Sequence, residues 1–177
     1  LLHSATAILL WRLLRRLEIP AAWIAAAIFA AHPVNVESVA WITELKNVLS
    51  GCLAVAATIA YLRFDDVANA THRDVPPASA RRWWFVAFGL FVLAMLSKTA
   101  VAPLPVALAV LLWWRRGSFT AKDAKALLPL VAVGVALALV TVWVETGRVG
   151  ASGAEWSLSP LERILLAGRA LWFYTAK

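Results

Sequence analysis

Residues able to do chemistry gather at three places in this sequence. The segment 32–47 (HPVNVESVAWITELKN) combines His32, Asn35, Glu37, Trp41 and Glu44. Read as a helix with 3.6 residues per turn, it places Glu37, Trp41 and Glu44 on one face at i, i+4 and i+7. Carboxylates accept hydrogen bonds from hydroxyls and an indole packs on the apolar face of a sugar ring, so that face suits a carbohydrate. The plainer alternative is an amphipathic helix lying in a membrane interface with its acids solvated. The other two places are single charges in apolar sequence. Lys98 is bracketed by Met95, Leu96 and Val101, and Arg169 by Leu165, Leu166, Leu171 and Trp172. An arginine at a bilayer centre costs about 2.5–3.5 kcal/mol on insertion scales, so such residues face a polar cavity, find a partner, or snorkel to the interface. An anionic headgroup is one such partner, because Arg offers a planar fork to phosphate oxygens and Lys a point charge.

Other polar features carry less. Asp65-Asp66 reads as an exposed loop pair on the opposite side of the membrane from 32–47, and Asn69-Ala70-Thr71 matches a glycosylation acceptor pattern in that same loop, on the side where the modification does not occur. The three histidines are scattered, none with a second ligand at i+3 or i+4, and there is no HExxH pattern, phosphate-cradling glycine loop or serine-nucleophile elbow. The metal question therefore stays open at this level. Cys52, the single cysteine, lies in an apolar run and reads as small apolar filler.

The elements that must position these residues are membrane helices. The chain is 62% apolar and 15% charged, against about 45–50% and about 25% for soluble domains. The +7 net charge falls in short clusters between apolar runs, not along one face, which argues against nucleic acid as a partner. Residues 126–144 are uncharged and long enough to cross about 30 Å of hydrocarbon. Runs at 48–62, at 19–31 extending to 36, and a 32-residue stretch at 83–114 interrupted at Ser97-Lys98 and by Pro103 and Pro105 add further segments. Residues 1–14 and 164–176 read as truncated spans of an internal fragment. The expectation is an all-α polytopic membrane bundle of about seven segments, with loops at 65–82 and 147–163. Alternating the segments puts eleven Lys and Arg on one side (Arg12, Arg15, Arg16, Arg63, Arg73, Arg81, Arg82, Arg115, Arg116, Lys122, Lys125) and six on the other (Lys46, Lys98, Arg148, Arg163, Arg169, Lys177). The positive-inside rule makes the first side cytoplasmic, and tryptophans beside arginine pairs at 81–84 and 113–116 support the boundaries.

The run 32–41 followed by ELKNVLS (44–50), the segment LSKTAVAPLP (96–105) and the segment AGRALWFY (167–174) resemble, in order, stretches of the bacterial relatives of the transmembrane and tetratricopeptide-repeat-containing proteins. The resemblance covers nearly the whole chain. It implies one GT-C-class membrane glycosyltransferase domain over 1–177, taking a sugar from a polyprenyl-phosphate carrier on the non-cytoplasmic side, the periplasmic face of a bacterial inner membrane. The acceptor would be a hydroxyl, of a protein if the eukaryotic association with O-mannosylation carries over. An acidic motif would precede Leu1 and tetratricopeptide repeats would follow Lys177. Thr99 departs from the family's Ser-Lys-Glu pattern, which removes one acid and leaves Lys98. On this reading Glu37 positions the acceptor or a metal-bound water, His32 and Asn35 support it, Trp41 and Glu44 contact sugar, and Lys98 and Arg169 bind the phosphate. Some members of the class use a divalent cation and others do not. The alternative from another class is a non-catalytic membrane scaffold or transporter whose embedded charges line a pathway or stabilise the bundle.

The topology is open to a direct check. In a Cys52-free background, an impermeant thiol reagent added from outside will modify Ser38→Cys and Ser152→Cys but not Ser79→Cys or Ser118→Cys. Labelling of Ser79→Cys would reverse the orientation.

Overall fold

In lipid, backbone amides have no water to bond, so apolar segments satisfy them internally as helices. The computed structural model describes residues 1–69, 77–147 and 159–176, and among them every regular element is helical. In chain order these are α1 (Leu2–Arg16), α2 (Ala22–Ala31), a 3-10 turn (Pro33–Asn35), α3 (Val36–Ala40), a second 3-10 turn (Ile42–Glu44), α4 (Leu45–Ala68), α5 (Pro77–Ser97), a third 3-10 turn (Thr99–Val101), α6 (Leu104–Arg116), α7 (Ala121–Gly147) and α8 (Pro160–Ala176). The chain divides into two compact units, Leu1–Ala138 and Leu139–Lys177.

Three stretches are long and apolar enough to cross a membrane: Ile42–Ala68, Ala78–Ser97 and Ala121–Gly147. A fourth is formed if Ala22–Ala31 and Pro33–Ala40, bent by 50° at their junction, act as one span. The seven segments expected from hydropathy therefore become three or four. The reason is length. α1, α6 and α8 have 15, 13 and 17 residues, which at about 1.5 Å per residue fall short of the roughly 30 Å hydrocarbon layer. The bend has a local cause. Pro33 has no N–H to give, and it forces His32 into an extended conformation (φ −66°, ψ 127°).

The interrupted stretch 83–114 does form two helices. α5 ends at Ser97, Lys98 is extended, and α6 starts behind Pro103 and stops at Gly117, whose φ of +68° a side chain would disfavour. α4 packs along α5, with Ala57, Ala60, Ala87 and Ala94 buried in the first unit's core. Such small side chains let membrane helices approach closely. Tyr61, Leu62, Phe91, Met95, Leu108, Leu112 and Leu130 complete the core. At Gly134, α7 comes so near that an added Cβ would lie 3.3 Å from the buried Phe91 ring. Other large apolar side chains, such as Leu93, Leu96, Val106 and Val135, are more than half exposed, as suits surfaces facing lipid.

One end of the first unit is pinned by charge. Arg16 reaches Asp66 at 2.5 Å, Arg115 reaches Asp66 at 3.0 Å and Asp65 at 3.8 Å, and Arg116 reaches Asp65 at 3.4 Å and Asp123 at 2.8 Å. Burial disfavours the Arg116 charge, but the Asp123 bond and the Asp65 charge outweigh it and hold the guanidinium pKa above its ordinary value. Thr120 caps α7 by accepting from the Asp123 N–H at Oγ1, and its own N–H donates in return to the Asp123 carboxylate. These contacts place the ends of α1, α4 and α6 and the start of α7 together, which is the grouping of basic ends read from the sequence.

The same contacts correct the reading of Asp65-Asp66 as an exposed loop pair. α4 continues through both residues to Ala68, and Asp65 is 5% exposed. The uncharged run ends at Leu62 because Arg63 follows it, with Asp65 and Asp66 close behind; arginines from other helices neutralise the aspartates and the helix runs on. The loops shorten accordingly. Asn69 closes α4 with its amide on Asp65, while residues 70–76 and 148–158, including most of the glycosylation-like triplet, lie outside the described residues.

Asp65→Asn will lower stability by about 1–3 kcal/mol, since it leaves Arg116 under-neutralised at a buried site. Asp66→Asn, at a side chain 41% exposed, will cost less than about 1 kcal/mol. Thermal denaturation in detergent ranks the two; equal losses would mean burial at position 65 does not matter.

Candidate functional site

The polar residues of 32–47 lie at the opposite end of α4 from the arginine cluster. They do not form one helix. The segment breaks into a 3-10 turn, α3, an extended Trp41 (φ −93°, ψ 124°) and a second 3-10 turn before α4 begins. The expected face of Glu37, Trp41 and Glu44 at i, i+4 and i+7 is therefore absent: the three stand on α3, at the break and in the second turn. Pro33 and the β-branched Val34, Val36, Val39, Ile42 and Thr43 make this a poor helix-forming sequence.

Several of the candidates serve the local backbone. His32 accepts from the Val34 N–H at Nδ1 (3.2 Å) and so caps the first turn. Asn35 donates to the Phe29 carbonyl at 2.8 Å, fastening the turn to the end of α2. Glu37 is exposed and, among the described residues, its carboxylate has no hydrogen-bond partner.

Two of the sequence candidates are brought together, through a residue not singled out before. Lys98 Nζ donates to Asn47 Oδ1, and Asn47 Nδ2 donates to Glu44 Oε2 and, at 3.5 Å, to Ser38 Oγ. Alongside, Ser97 Oγ donates to the Lys46 carbonyl at 3.0 Å. The Ser97-Lys98 turn thus docks twice on the start of α4, across 51 positions of sequence. Lys98 is half-buried and makes no ion pair with a carboxylate among the described residues. Its ammonium carries three donors, and a neutral amide occupies one. The positive charge is positioned but not neutralised, which is the arrangement an anion can use.

A groove of about 400 Å³ runs beside this corner, lined by His3, Ser38, Trp41, Ile42 and Leu45 among others. A smaller hollow of about 220 Å³ is lined by His3, His32 and Asn35. His3 borders both; its ring lies 5.1 Å from the Phe29 ring and its Nε2 is 3.1 Å from the Ala30 carbonyl. Trp41 is 60% exposed on the groove wall. Among the described residues no three His, Cys, Asp or Glu side chains converge as metal ligands would.

Arg169 belongs to the second unit. It is exposed on α8 among exposed Ile164, Leu165, Leu166, Trp172 and Phe173, and it has no ion pair among the described residues. α8 itself begins with a capping box in which Ser159 and Glu162 exchange side-chain-to-backbone bonds of 2.7 and 3.3 Å; hydrogen bonds from the Ser159 N–H and then from its side chain hold the Glu162 carboxyl below its usual pKa.

Asn47, Ser97 and His3 are the residues that sequence reasoning passed over. Ser97 and Asn47 lie inside the motifs already quoted, but nothing in either motif says that they meet. No family model, curated protein or solved structure matches the chain.

A double-mutant cycle with Lys98→Met and Asn47→Leu will be non-additive, with a coupling of about 1–2 kcal/mol as expected for a partly buried hydrogen bond to a charged group. Thermal denaturation of the four proteins measures it. Additive losses would show that the two side chains do not depend on each other.

Proposed function

We propose that this chain is part of a GT-C-like membrane glycosyltransferase domain that moves a sugar from a polyprenyl-phosphate carrier to an acceptor hydroxyl on the non-cytoplasmic side. The observation that carries the reading is the Lys98 ammonium, held by the neutral Asn47 amide and without a counter-ion among the described residues. A lipid-linked phosphate is a fitting counter-ion, arriving along the apolar surface with its charge at the membrane edge. The sequence motifs that meet at this corner are two of those that resemble the family.

The chemistry asks for three things. A base takes the proton of the acceptor hydroxyl, whose oxygen bonds to the anomeric carbon; the bond from that carbon to the phosphate oxygen breaks, and its electron pair leaves with the phosphate. A cation near the departing phosphate stabilises the charge that develops there. Lys98 fills that role in this proposal; the resemblance alone assigns Arg169, on α8, to phosphate binding. The exposed Glu37 is assigned to the acceptor, Trp41 and Glu44 to the sugar, and His32 and Asn35 to holding the 32–35 turn in place. The base is the acid that the resemblance places ahead of Leu1. A divalent cation is not required by this scheme. The arginine-rich end is assigned to the cytoplasm by its excess of Lys and Arg.

In the whole protein, Lys98→Gln will raise the donor's apparent Kd about 10-fold or more, from loss of a charged hydrogen bond. Arg169→Leu will abolish transfer while preserving expression, and Arg169→Lys will keep a partial rate with weaker donor binding, since the charge remains and the fork is lost. Turnover assays with a polyprenyl-phosphate sugar check both. Near-normal turnover by Lys98→Gln and Arg169→Leu together would end the phosphate assignment and favour a scaffold or transporter.

A further inference from the structure

At the other end of the bundle lies a second basic feature that the transfer chemistry does not use. A cleft of about 380 Å³ opens between α1, α4 and α5, with Arg12, Arg16, Arg63 and Trp83 on its walls. Helical spacing puts these residues on matching faces. On α1, Leu9, Arg12 and Arg16 follow at i, i+3 and i+7. On α4, Ala56, Ile59 and Arg63 do the same, and on α5 so do Trp83, Val86 and Leu90. All are cleft residues. α1 and α4 finish at this end and α5 begins there, so the arginines and the indole lie toward this end, Arg12 about one turn deeper than Arg16. The aliphatic side chains lie one to two turns deeper, about 5–10 Å along the helix axes.

The charges are not spent within the fold. Among the described residues Arg12 has no ion pair or hydrogen bond, and Arg63 has only the face of Trp83, 4.5 Å from the ring centroid. Stacking on an indole orients a guanidinium without neutralising it, and its N–H edge stays free for an acceptor. Arg16 is bonded to Asp66 through one terminal nitrogen, while its buried Nε has no hydrogen-bond partner. Of the three cations, only Arg16 meets a carboxylate among the described residues, that of Asp66, which Arg115 also holds.

We propose that this cleft is a binding site for the headgroup of an anionic phospholipid, with the phosphate between Arg12 and Arg63 and an acyl chain against Leu9, Ile59 and Leu90. A planar fork matches phosphate oxygens bidentately. The gradient from guanidinium to aliphatic wall along the cleft selects a lipid over a soluble phosphate, which would leave that wall without an occupant. Basic pockets between membrane helices at the more basic membrane face are suited to such headgroups. The site is independent of the sugar-transfer reading, since it uses none of the residues assigned to it.

The test is native mass spectrometry of the purified protein in detergent, titrated with short-chain phosphatidylglycerol or phosphatidylcholine. The protein will retain phosphatidylglycerol in preference, and Arg12→Gln/Arg63→Gln will weaken that binding about 20-fold. Arg81→Gln/Arg82→Gln removes the same charge from the start of α5 but not from the cleft, and will leave the preference unchanged. Arg12→Gln alone, at an exposed side chain with no ion-pair or hydrogen-bond partner among the described residues, will give part of the effect with an unchanged melting temperature, which separates lipid binding from misfolding. Equal retention of the two lipids, or equal losses from the two double variants, would overturn the proposal. So would displacement of phosphatidylglycerol by inorganic phosphate at comparable concentration, which would make the ligand a soluble anion.

Discussion

Two adjacent aspartates near the end of α4 organise the first unit. Asp65 and Asp66 take arginines from α1 and α6, and Arg116 passes the connection on to Asp123 at the start of α7. An ion pair standing alone at a protein surface contributes little, but these are linked and Asp65 is almost fully enclosed. Once four helix ends are held at one level, the far ends have little freedom. α4 and α5 run side by side, so the turn after α5 returns to the start of α4 and Lys98 arrives beside Asn47.

The two ends of the bundle treat charge in different ways. At the aspartate end, Arg115 and Arg116 are matched by carboxylates and hold the structure together. At the Lys98 end the partner is a neutral amide, which fixes the ammonium in place and leaves its charge for something else. The arginines of the α1–α4–α5 cleft are intermediate: Arg16 is partly matched, Arg63 is oriented by an aromatic ring, and Arg12 has no ion pair among the described residues. Unmatched cations beside apolar surface invite anionic partners, and the two proposals here, a lipid-linked phosphate at one end and a phospholipid headgroup at the other, follow from that single rule.

Much of the apolar surface is not covered by the chain itself. Leu93, Leu96, Val106, Val135 and Leu139 on the long helices are exposed, as are Leu161, Ile164 and Leu165 on α8. In water such surface would be costly; against lipid tails it is neutral. Close approach between helices is reserved for places with small residues, such as the alanines of α4 and α5 and Gly134 against Phe91. The structure therefore uses packing to set helix separation and charge to set helix level.

The sequence alone was sufficient for the helical class, the membrane-crossing runs at 48–62 and 126–144, the break at Lys98 and the grouping of basic ends, because each depends on local composition or on the periodicity of one segment. It was not sufficient for the number of spans, since hydropathy measures how apolar a run is and not how long the helix within it is: α1, α6 and α8 have only 15, 13 and 17 residues. It misjudged Asp65 because the neutralising arginines, Arg115 and Arg116, lie 50 and 51 positions away along the chain, and no local pattern announces them. It placed Glu37, Trp41 and Glu44 on one face by assuming a continuous helix, where proline and β-branched residues break it. Asn47 looked like one polar residue among many in 32–47. Only when α4 and α5 lie side by side does its amide meet both Glu44 and Lys98, because a hydrogen bond is decided by distance in space and not by position in sequence.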